Sequence, residues 1–171
     1  VQSFERRFDP EDPNIKEKLK EYSQTLIQQI DVMSSIASAF SDFAKMPKQH
    51  KEEINVVEVV KLALDIFNED YISYSFTEDT LIANLDKTQL IRIITNLVTN
   101  ATQATENVDK PAINITVSSD EKSIKIAVID NGKGIGEDVE DLIFEPKFTT
   151  KTSGMGLGLP MIKKIIEAYN G

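Results

Sequence analysis

Residues 153–160, SGMGLGLP, alternate glycine with larger residues directly before an apolar segment that has helical spacing. Glycine loses more conformational freedom on folding than any other residue, so three glycines at the start of a helix need an explanation. They free the backbone amides to point inward, and the N-terminus of the following helix adds partial positive charge. Pro160 is compatible with the first turn of that helix. The stretch therefore predicts a phosphate-binding loop, with a flexible hinge as the alternative.

Two common phosphate-binding motifs are excluded at this stretch. The GxxxxGK[ST] spacing of a P-loop is absent. A dinucleotide-binding fingerprint is excluded because no predicted strand leads directly into the glycines and no acidic residue follows at the distance that ribose binding requires.

Two segments upstream carry side chains that suit a nucleotide. IDNGKGI, residues 129–135, leaves a predicted strand with Asp130, whose carboxylate can accept a hydrogen bond from a ligand amino group. Its glycines allow a flat ring to approach the backbone. FEPKFTTK, residues 144–151, offers aromatic side chains for a planar ligand and lysines for anionic groups. Each segment alone is also compatible with an ordinary turn or loop, since Asp130 and Asn131 are common turn formers.

A third segment, NLVTNATQA at residues 96–104, lies on a predicted long helix that Asp86 can cap. Asn96 and Asn100 are four residues apart and therefore share one helix face. A side-chain amide oxygen is a suitable ligand for Mg²⁺. The alternative is a pair of surface asparagines or a local hydrogen bond to the backbone.

The pattern over residues 54–171 predicts an α+β fold, a two-layer α/β sandwich with helices on one face of a largely antiparallel sheet. The predicted strands lie near Ile54 and at residues 71–77, 80–85, 112–118 and 123–129. Helices are predicted at residues 56–67, after Asp86 and from about Leu159. The apolar face of the long middle helix comprises Leu90, Ile93, Ile94, Leu97, Val98 and Ala101.

Residues 1–46 have a different pattern. Residues 1–8 resemble the end of a helix, which the two prolines of DPEDP at residues 9–13 terminate. A heptad stripe follows and predicts either a helix packed on its own domain or part of a helical hairpin that dimerises; the length without glycine favours the hairpin. The polar segment 47–53 predicts a linker. The stripe comprises Ile15, Leu19, Tyr22, Leu26, Met33, Ile36, Phe40 and Phe43.

Composition excludes several classes of site and partner. The net charge of −9 disfavours nucleic acid as a partner. The absence of cysteine excludes disulfides and thiolate metal sites, and it fits a cytoplasmic domain. No run approaches the roughly 18 apolar residues of a membrane span, so we expect any anchor of the parent protein in the cell membrane to lie outside this chain.

The order of the motifs is more specific than any one of them. A helix bearing two asparagines, followed by DNGKGI, FEPKFTT and GMGLGLP, resembles the N, G1, F and G2 boxes of the ATP-binding domain of sensor histidine kinases. These domains belong to the wider gyrase, heat-shock chaperone, kinase and MutL ATPase superfamily, and the resemblance covers residues 50–171. FERRFDPEDP and the helix ending in FSDFAKMP resemble the second half of the dimerisation and phosphotransfer hairpin of nitrogen-regulation sensor kinases of the NtrY type.

The resemblance implies roles for individual residues. Asn100 would chelate the Mg²⁺ that bridges the ATP phosphates, Asp130 would bind the adenine amino group, and residues 149–154 would form a short lid. Asn96 stands where hydrolysing relatives carry a glutamate, and because an amide is no general base, this favours transfer over hydrolysis. With Phe144 in the lid region, the implied ATP-binding residues are Asn96, Asn100, Ala104, Asp130, Gly132, Gly134, Ile135, Phe148, Thr149, Thr150, Lys151, Gly154, Gly156, Leu157, Gly158 and Leu159.

The resemblance also implies an activity for the parent protein. It would be a homodimeric protein-histidine kinase that transfers the γ-phosphate of ATP to a histidine and then to an aspartate on a response-regulator receiver domain. The only histidine, His50, lies in the polar linker. We therefore expect a fragment that lacks the acceptor histidine, cannot autophosphorylate, dimerises weakly and is truncated after Gly171. The alternatives are a degenerate nucleotide-binding interaction module and a serine or threonine kinase of the same ATPase fold.

Overall fold

The computed structural model describes residues 13–44, 49–146, 148–149 and 156–171. The chain divides into two units, residues 1–45 and 46–171. The predicted helix end at residues 1–8 and most of the turn at residues 9–13 lie outside the described residues, as do residues 45–48. The assignment of the two units as a partial hairpin and a catalytic domain joined by a linker stays a prediction.

The described part of the first unit is a helix, α1, Ile15–Ala44, as the heptad stripe predicts. Leu26 and Met33 of the stripe are exposed, and so are Ile27 and Ile30, which the stripe does not include. The apolar surface of α1 is therefore wider than the predicted stripe. Within the described part of the chain, no helix has both the length and the hydropathy that a membrane span requires.

The second unit contains every strand and helix that the sequence predicts for residues 54–171. β1 begins two residues earlier than predicted, because Glu52 and Glu53, assigned above to the linker, pair with Leu85 and Asn84. In chain order the elements are β1 Glu52–Asn55, α2 Val56–Leu64, β2 Ile72–Phe76, β3 Ile82–Leu85, α3 Lys87–Thr105, β4 Ile113–Ser119, β5 Ile124–Asp130, a 3₁₀ helix Glu140–Leu142 and α4 Gly158–Glu167.

The described strands form two sheets, not the single sheet that was predicted. β1 pairs with β3 in antiparallel orientation, and the second sheet has the order β2-β4-β5. β4 and β5 form an antiparallel hairpin, as expected. β2 and β4 run parallel, with Ile72 opposite Ile113. This orientation follows from the connection between them, which passes through β3 and α3 and is long enough to cross over.

α3 packs against α2, α4 and the β4–β5 hairpin. One of its faces contributes Leu90, Ile94, Val98 and Ala101 to the main core, together with buried residues of α2 and β4. The other face places Ile93 and Leu97 against Ile162 and Ile165 of α4. The apolar residues predicted along this helix therefore serve two surfaces, and α4 depends on α3 for its position.

Candidate functional site

A stripe of three candidate residues runs along α3. Asn96, Asn100 and Ala104 are four residues apart, so they lie above one another on one helix face, and all three are half-buried. At 1.5 Å per residue the stripe is about 12 Å long. The loop after β5 meets one end of the stripe, and the first residue of α4 lies at the other.

The loop after β5 contacts the Ala104 end of the stripe. The backbone N–H of Lys133 donates to the carbonyl oxygen of Ala104 at 3.2 Å. A Cβ at Gly132 would lie 2.7 Å from the backbone and Cβ of Ala104, which leaves room only for glycine. The Asp130 carboxylate accepts a hydrogen bond from the Gly132 N–H at 2.9 Å and remains exposed. The close approach of Gly132 thus holds an accessible carboxylate beside the end of α3.

Asn131 fixes the same loop from its other side. Its Oδ1 accepts from the N–H of Ala112 at 2.8 Å, and its Nδ2 donates to the carbonyl oxygen of Lys110 at 2.8 Å. The sequence suggested only a turn-forming role for Asn131. These two bonds tie the segment before β4 to the segment after β5, so the position of Asp130 is set by both strands.

Beyond this anchored part the loop opens to solvent. Gly134 has a φ of +71°, a conformation that favours glycine, and a Cβ there would meet nothing within 4 Å. Ile135 is 59% exposed and Ile129, beside Asp130, is 58% exposed. An accessible carboxylate is therefore flanked in sequence by exposed aliphatic side chains.

The start of α4 contacts the Asn96 end of the stripe. A Cβ at Gly158 would lie 3.2 Å from Asn96 Oδ1. The amide of Asn96 is oriented by its Nδ2, which donates to the carbonyl oxygen of Arg92 at 2.8 Å. The N-cap of α4 is Leu157, which has no side-chain acceptor for the N–H groups of the first turn. α4 therefore begins beside Asn96 without a side-chain cap.

The other predicted site residues near α4 are placed in different ways. Leu157 is buried, so only its backbone can face a ligand, and Leu159 packs against the Ile93–Ile162–Ile165 cluster. Gly156 has a φ of +62°. Phe148 is half-buried and Thr149 is exposed. Thr150, Lys151 and Gly154 lie outside the described residues.

Phe144, expected in the lid region, contacts α4. The ammonium group of Lys163 lies 5.7 Å from the centroid of its ring. Phe144 is 42% exposed, so this contact covers the ring only in part.

The N-terminus of α3 carries a polar network, of which the sequence predicted only the cap, Asp86. Asp86 Oδ1 accepts from the N–H groups of Thr88 and Gln89, while Oδ2 accepts from the N–H of His50 at 2.9 Å. The Asp86 N–H donates to the Tyr169 hydroxyl at 3.0 Å, and that hydroxyl donates to Gln89 Oε1 at 3.1 Å. We call His50, Asp86, Gln89 and Tyr169 the Asp86 clamp. No local pattern could reveal it, because Tyr169 lies 83 residues from Asp86 in sequence.

The charge of Asp86 is stabilised within this network. Burial alone raises the pKa of the carboxyl, but hydrogen bonds from the backbone N–H groups of His50, Gln89 and Thr88 outweigh it, so the pKa lies below its ordinary value. The carboxylate is therefore ionised at neutral pH.

A groove of about 420 Å³ lies on another part of the unit. Its lining contains no predicted site residue, and its three glutamates disfavour an anionic ligand. Among the described residues, no three histidine or acidic side chains cluster closely enough to hold a metal ion. The groove is lined by Glu52, Glu53, Ile54, Asn55, Glu58, Val59, Leu62 and Lys87.

Comparisons with known proteins agree with the motif order. A family model described as histidine kinase-, DNA gyrase B-, and HSP90-like ATPase matches residues 85–171, just over half of the chain. A protein of Rickettsia bellii named as an NtrY-like sensor histidine kinase is 30% identical over 97% of this chain. The chain spans 28% of the length of that relative.

Solved structures give the same result. The catalytic domain of histidine kinase ThkA is 31% identical with a TM-score of 0.63, over 70% of this chain and 81% of that chain. ThkA in complex with response regulator protein TrrA has a TM-score of 0.72 at 24% identity, over 99% of this chain and 49% of that chain, which concerns the fold alone. The resemblance predicted from the motifs is confirmed: the chain belongs to the family of histidine kinase-, DNA gyrase B- and HSP90-like ATPases.

Proposed function

We propose that this chain is the ATP-binding catalytic part of a sensor histidine kinase, in which the γ-phosphate of ATP passes to a histidine and then to an aspartate of a response regulator. Membership of the ATPase family implies that the chain binds ATP. The names of the relatives and solved structures described above support the kinase class. The histidine and aspartate that accept the phosphate, and the binding of Mg²⁺, are likewise proposed.

The observation that carries the proposal is the two-ended contact along α3. Gly132 of the β5 loop approaches Ala104 at one end of the stripe, and Gly158 of α4 approaches Asn96 at the other. ATP is a ligand with a flat, apolar base at one end and an anionic tail at the other. A stripe about 12 Å long, with a carboxylate loop at one end and a helix N-terminus at the other, suits such a ligand.

At the Ala104 end, Asp130 would accept a hydrogen bond from the adenine amino group. A charged acceptor strengthens such a bond roughly twofold over a neutral one. Gly132 and Gly134 would let the base approach the backbone, and the exposed side chain of Ile135 would pack on the ring. These residues recognise the base and orient the nucleotide.

At the Asn96 end, the phosphates would meet the N-terminus of α4. The uncapped first turn offers N–H groups and the positive end of the helix dipole. Gly154, Gly156, Gly158 and the backbones of Leu157 and Leu159 would line the phosphates. Phe148, Thr149, Thr150 and Lys151 would belong to the covering lid, with Lys151 contacting a phosphate.

Asn100 lies between the two ends and would hold Mg²⁺ through its amide oxygen. Mg²⁺ keeps several waters and needs few protein ligands when phosphate oxygens are present, which fits a single amide on the stripe. The ion would supply charge neutralisation at the phosphates.

Asn96 would position the phosphate end without activating water. Its Nδ2 is committed to the Arg92 carbonyl, and an amide cannot take a proton from water at neutral pH. The site would therefore work by positioning and electrostatics, and the γ-phosphate would stay on ATP until a protein acceptor is in place.

The first unit would supply the assembly surface. The exposed apolar side chains of α1, among them Leu26, Ile30 and Met33, suit a helical bundle with a second chain. The acceptor histidine and the response-regulator contact would be supplied by parts of the parent protein beyond this chain, since His50, the only histidine, lies in the polar segment before β1 and not on α1.

The test is to incubate the full-length parent protein with γ-labelled ATP and to examine the stability of the label. Acid-labile label that survives base supports phosphohistidine and the proposed function. Acid-stable label supports a serine or threonine kinase, and tight ATP binding without label supports an interaction module; either result contradicts the proposal. Asp130→Asn should reduce labelling at least about tenfold. Asp120→Asn, at the opposite end of the β4–β5 hairpin, is the matched control and should label normally.

A further inference from the structure

The Asp86 clamp joins three segments that are far apart in sequence. Asp86 is the N-cap of α3, His50 belongs to the segment that leads into β1, and Tyr169 follows the last turn of α4. Two of the links use buried side chains, since Asp86 is 8% and Gln89 is 6% exposed. The clamp is therefore a tertiary contact rather than a surface pair.

A second contact connects the same segments. The ammonium group of Lys51 lies 4.6 Å from the centroid of the Tyr169 ring, a distance at which a cation and an aromatic face attract each other. The entry segment, which we define as residues 49–51, is thus held to Tyr169 both through Asp86 and through Lys51.

α4 links the clamp to the nucleotide end of the unit. Its first residue, Gly158, faces Asn96, and the turn at its end places Tyr169 beside Asp86. α4 therefore runs opposite in direction to the first part of α3, with Ile162 and Ile165 packed against Ile93 along the way. A ten-residue helix is a stiff rod about 15 Å long, so its two ends move together.

We propose that Tyr169 is a positioning residue that couples the phosphate end of α4 to the entry segment, so that nucleotide binding fixes the backbone of residues 49–51. A ligand that binds the N-terminus of α4 restrains the helix, and the Tyr169 hydroxyl passes this restraint to Asp86 and His50. The coupling rests on the proposed nucleotide site, whereas the anchoring of the entry segment by Tyr169 does not.

ATP-dependent anchoring of residues 49–51 would bear on phosphotransfer. Residues 49–51 come just after residues 45–48, which separate them in sequence from α1. Fixing this segment when ATP is bound would restrict the chain that leads into the catalytic unit. Coupling free energies of this kind typically change an equilibrium five- to 150-fold.

The test follows hydrogen exchange of the His50 amide, which donates to Asp86 Oδ2, in this 171-residue chain by NMR. Exchange of a structured amide reports the free energy of local opening. Tyr169→Phe removes the hydroxyl and keeps the ring over which Lys51 lies. Tyr74→Phe, on the exposed part of β2, is the matched control.

Without nucleotide, Tyr169→Phe should speed the exchange of the His50 amide about tenfold, and Tyr74→Phe should leave it unchanged. With saturating Mg²⁺-ATP, exchange should slow at least about fivefold in the wild type and less than about twofold in Tyr169→Phe. The nucleotide dependence separates coupling from mere stabilisation, because a purely structural tyrosine would give equal slowing in both proteins. If Tyr169→Phe does not fold, Lys51→Met should give a smaller change in the same direction.

Each contrary result has its own meaning. Unchanged exchange in nucleotide-free Tyr169→Phe overturns the anchoring. ATP binding that slows the His50 amide equally in wild type and Tyr169→Phe, or not at all, overturns the coupling and leaves the proposed function intact. A folded wild-type chain that binds no ATP contradicts the proposed function and the coupling together, and the nucleotide-free comparison still decides the anchoring.

Discussion

Helices α3 and α4 pack against each other, but their N-termini differ: α3 has a side-chain cap and α4 has none. α3 starts at Asp86, whose carboxylate accepts hydrogen bonds from two N–H groups of its own first turn and one from His50. α4 starts at Leu157, an aliphatic N-cap, directly after a glycine with positive φ. One terminus carries its own negative charge, and the other carries none.

The difference indicates what each terminus is for. The first-turn N–H groups of a helix need acceptors, and a side-chain carboxylate satisfies them permanently. A terminus capped in this way has a structural role, and in this chain it holds the Asp86 clamp. A terminus beside Asn96 that lacks a side-chain cap suits an anion that arrives and leaves.

The largest expected effect is the loss of stability when the side-chain cap of α3 is removed. Asp86→Ala removes the acceptor for three backbone N–H groups in a buried setting, so we expect the free energy of unfolding to fall by about 3 kcal/mol. Urea denaturation followed by circular dichroism measures it. Asp120→Ala, which removes an exposed carboxylate from the β4–β5 turn, should cost clearly less. Equal losses in the two variants would mean that the buried Asp86 clamp stabilises the fold no more than an exposed turn carboxylate does.

Part of this stabilisation should depend on pH. The pKa of Asp86 is lower in the folded chain than in the unfolded one, so its contribution is complete above the unfolded value of about 3.9 and disappears as the pH falls through the folded pKa. Asp86→Asn, which cannot ionise, should lose less stability than the wild type between neutral and acidic pH. Parallel stability–pH curves for the two proteins would contradict this account.

The next effect concerns the uncapped terminus. In Gly158→Ala the new Cβ would lie 3.2 Å from Asn96 Oδ1, so Asn96 or α4 must shift. We expect the fold to persist and the affinity for Mg²⁺-ATP to fall about tenfold, which is about 1.4 kcal/mol. Calorimetric titration measures the affinity, and thermal melts verify folding. Unchanged affinity in a folded variant would place the phosphates away from Gly158.

The smallest effect on stability is expected when an exposed side chain of α4 is changed. Lys163 lies over the Phe144 ring and 4.0 Å from Glu167, but the Lys163 and Glu167 side chains are 54% and 58% exposed. Lys163→Met should therefore change the free energy of unfolding by only about 0.5 kcal/mol. A loss several times larger, measured by the same denaturation, would show that α4 is held by its surface and not by the cluster around Ile93.

Local patterns predicted the elements of this chain well. The spacing of Leu90 to Ala101, the cap at Asp86 and the strand–turn–strand around Asp120 depend on neighbours in sequence, and each is present in the structure. The parallel pairing of β2 with β4 was missed because the side-chain pattern of a short strand does not encode the direction of its partner.

The candidate site was predicted in part. Gly132 was expected to let a flat ring approach the backbone, and Gly158 was expected to help hold phosphates. The structure adds a protein neighbour for each, which is Ala104 for Gly132 and the amide of Asn96 for Gly158. The roles of Asn131 and Tyr169 could not be predicted, because each depends on partners from distant segments. Judged by sequence neighbours alone, Asn131 resembles an ordinary turn-forming residue and Tyr169 resembles an ordinary residue at the end of a helix.

The most direct test of the central claim is calorimetric titration of this chain with Mg²⁺-ATP, with Asp130→Asn and Asp120→Asn in parallel. We predict micromolar to millimolar dissociation constants for the wild type and for Asp120→Asn, and the loss of measurable binding in Asp130→Asn. Binding that survives in Asp130→Asn at wild-type strength, or a folded wild-type chain that binds no nucleotide, would contradict the assignment of the α3 stripe and the β5 loop as the ATP site.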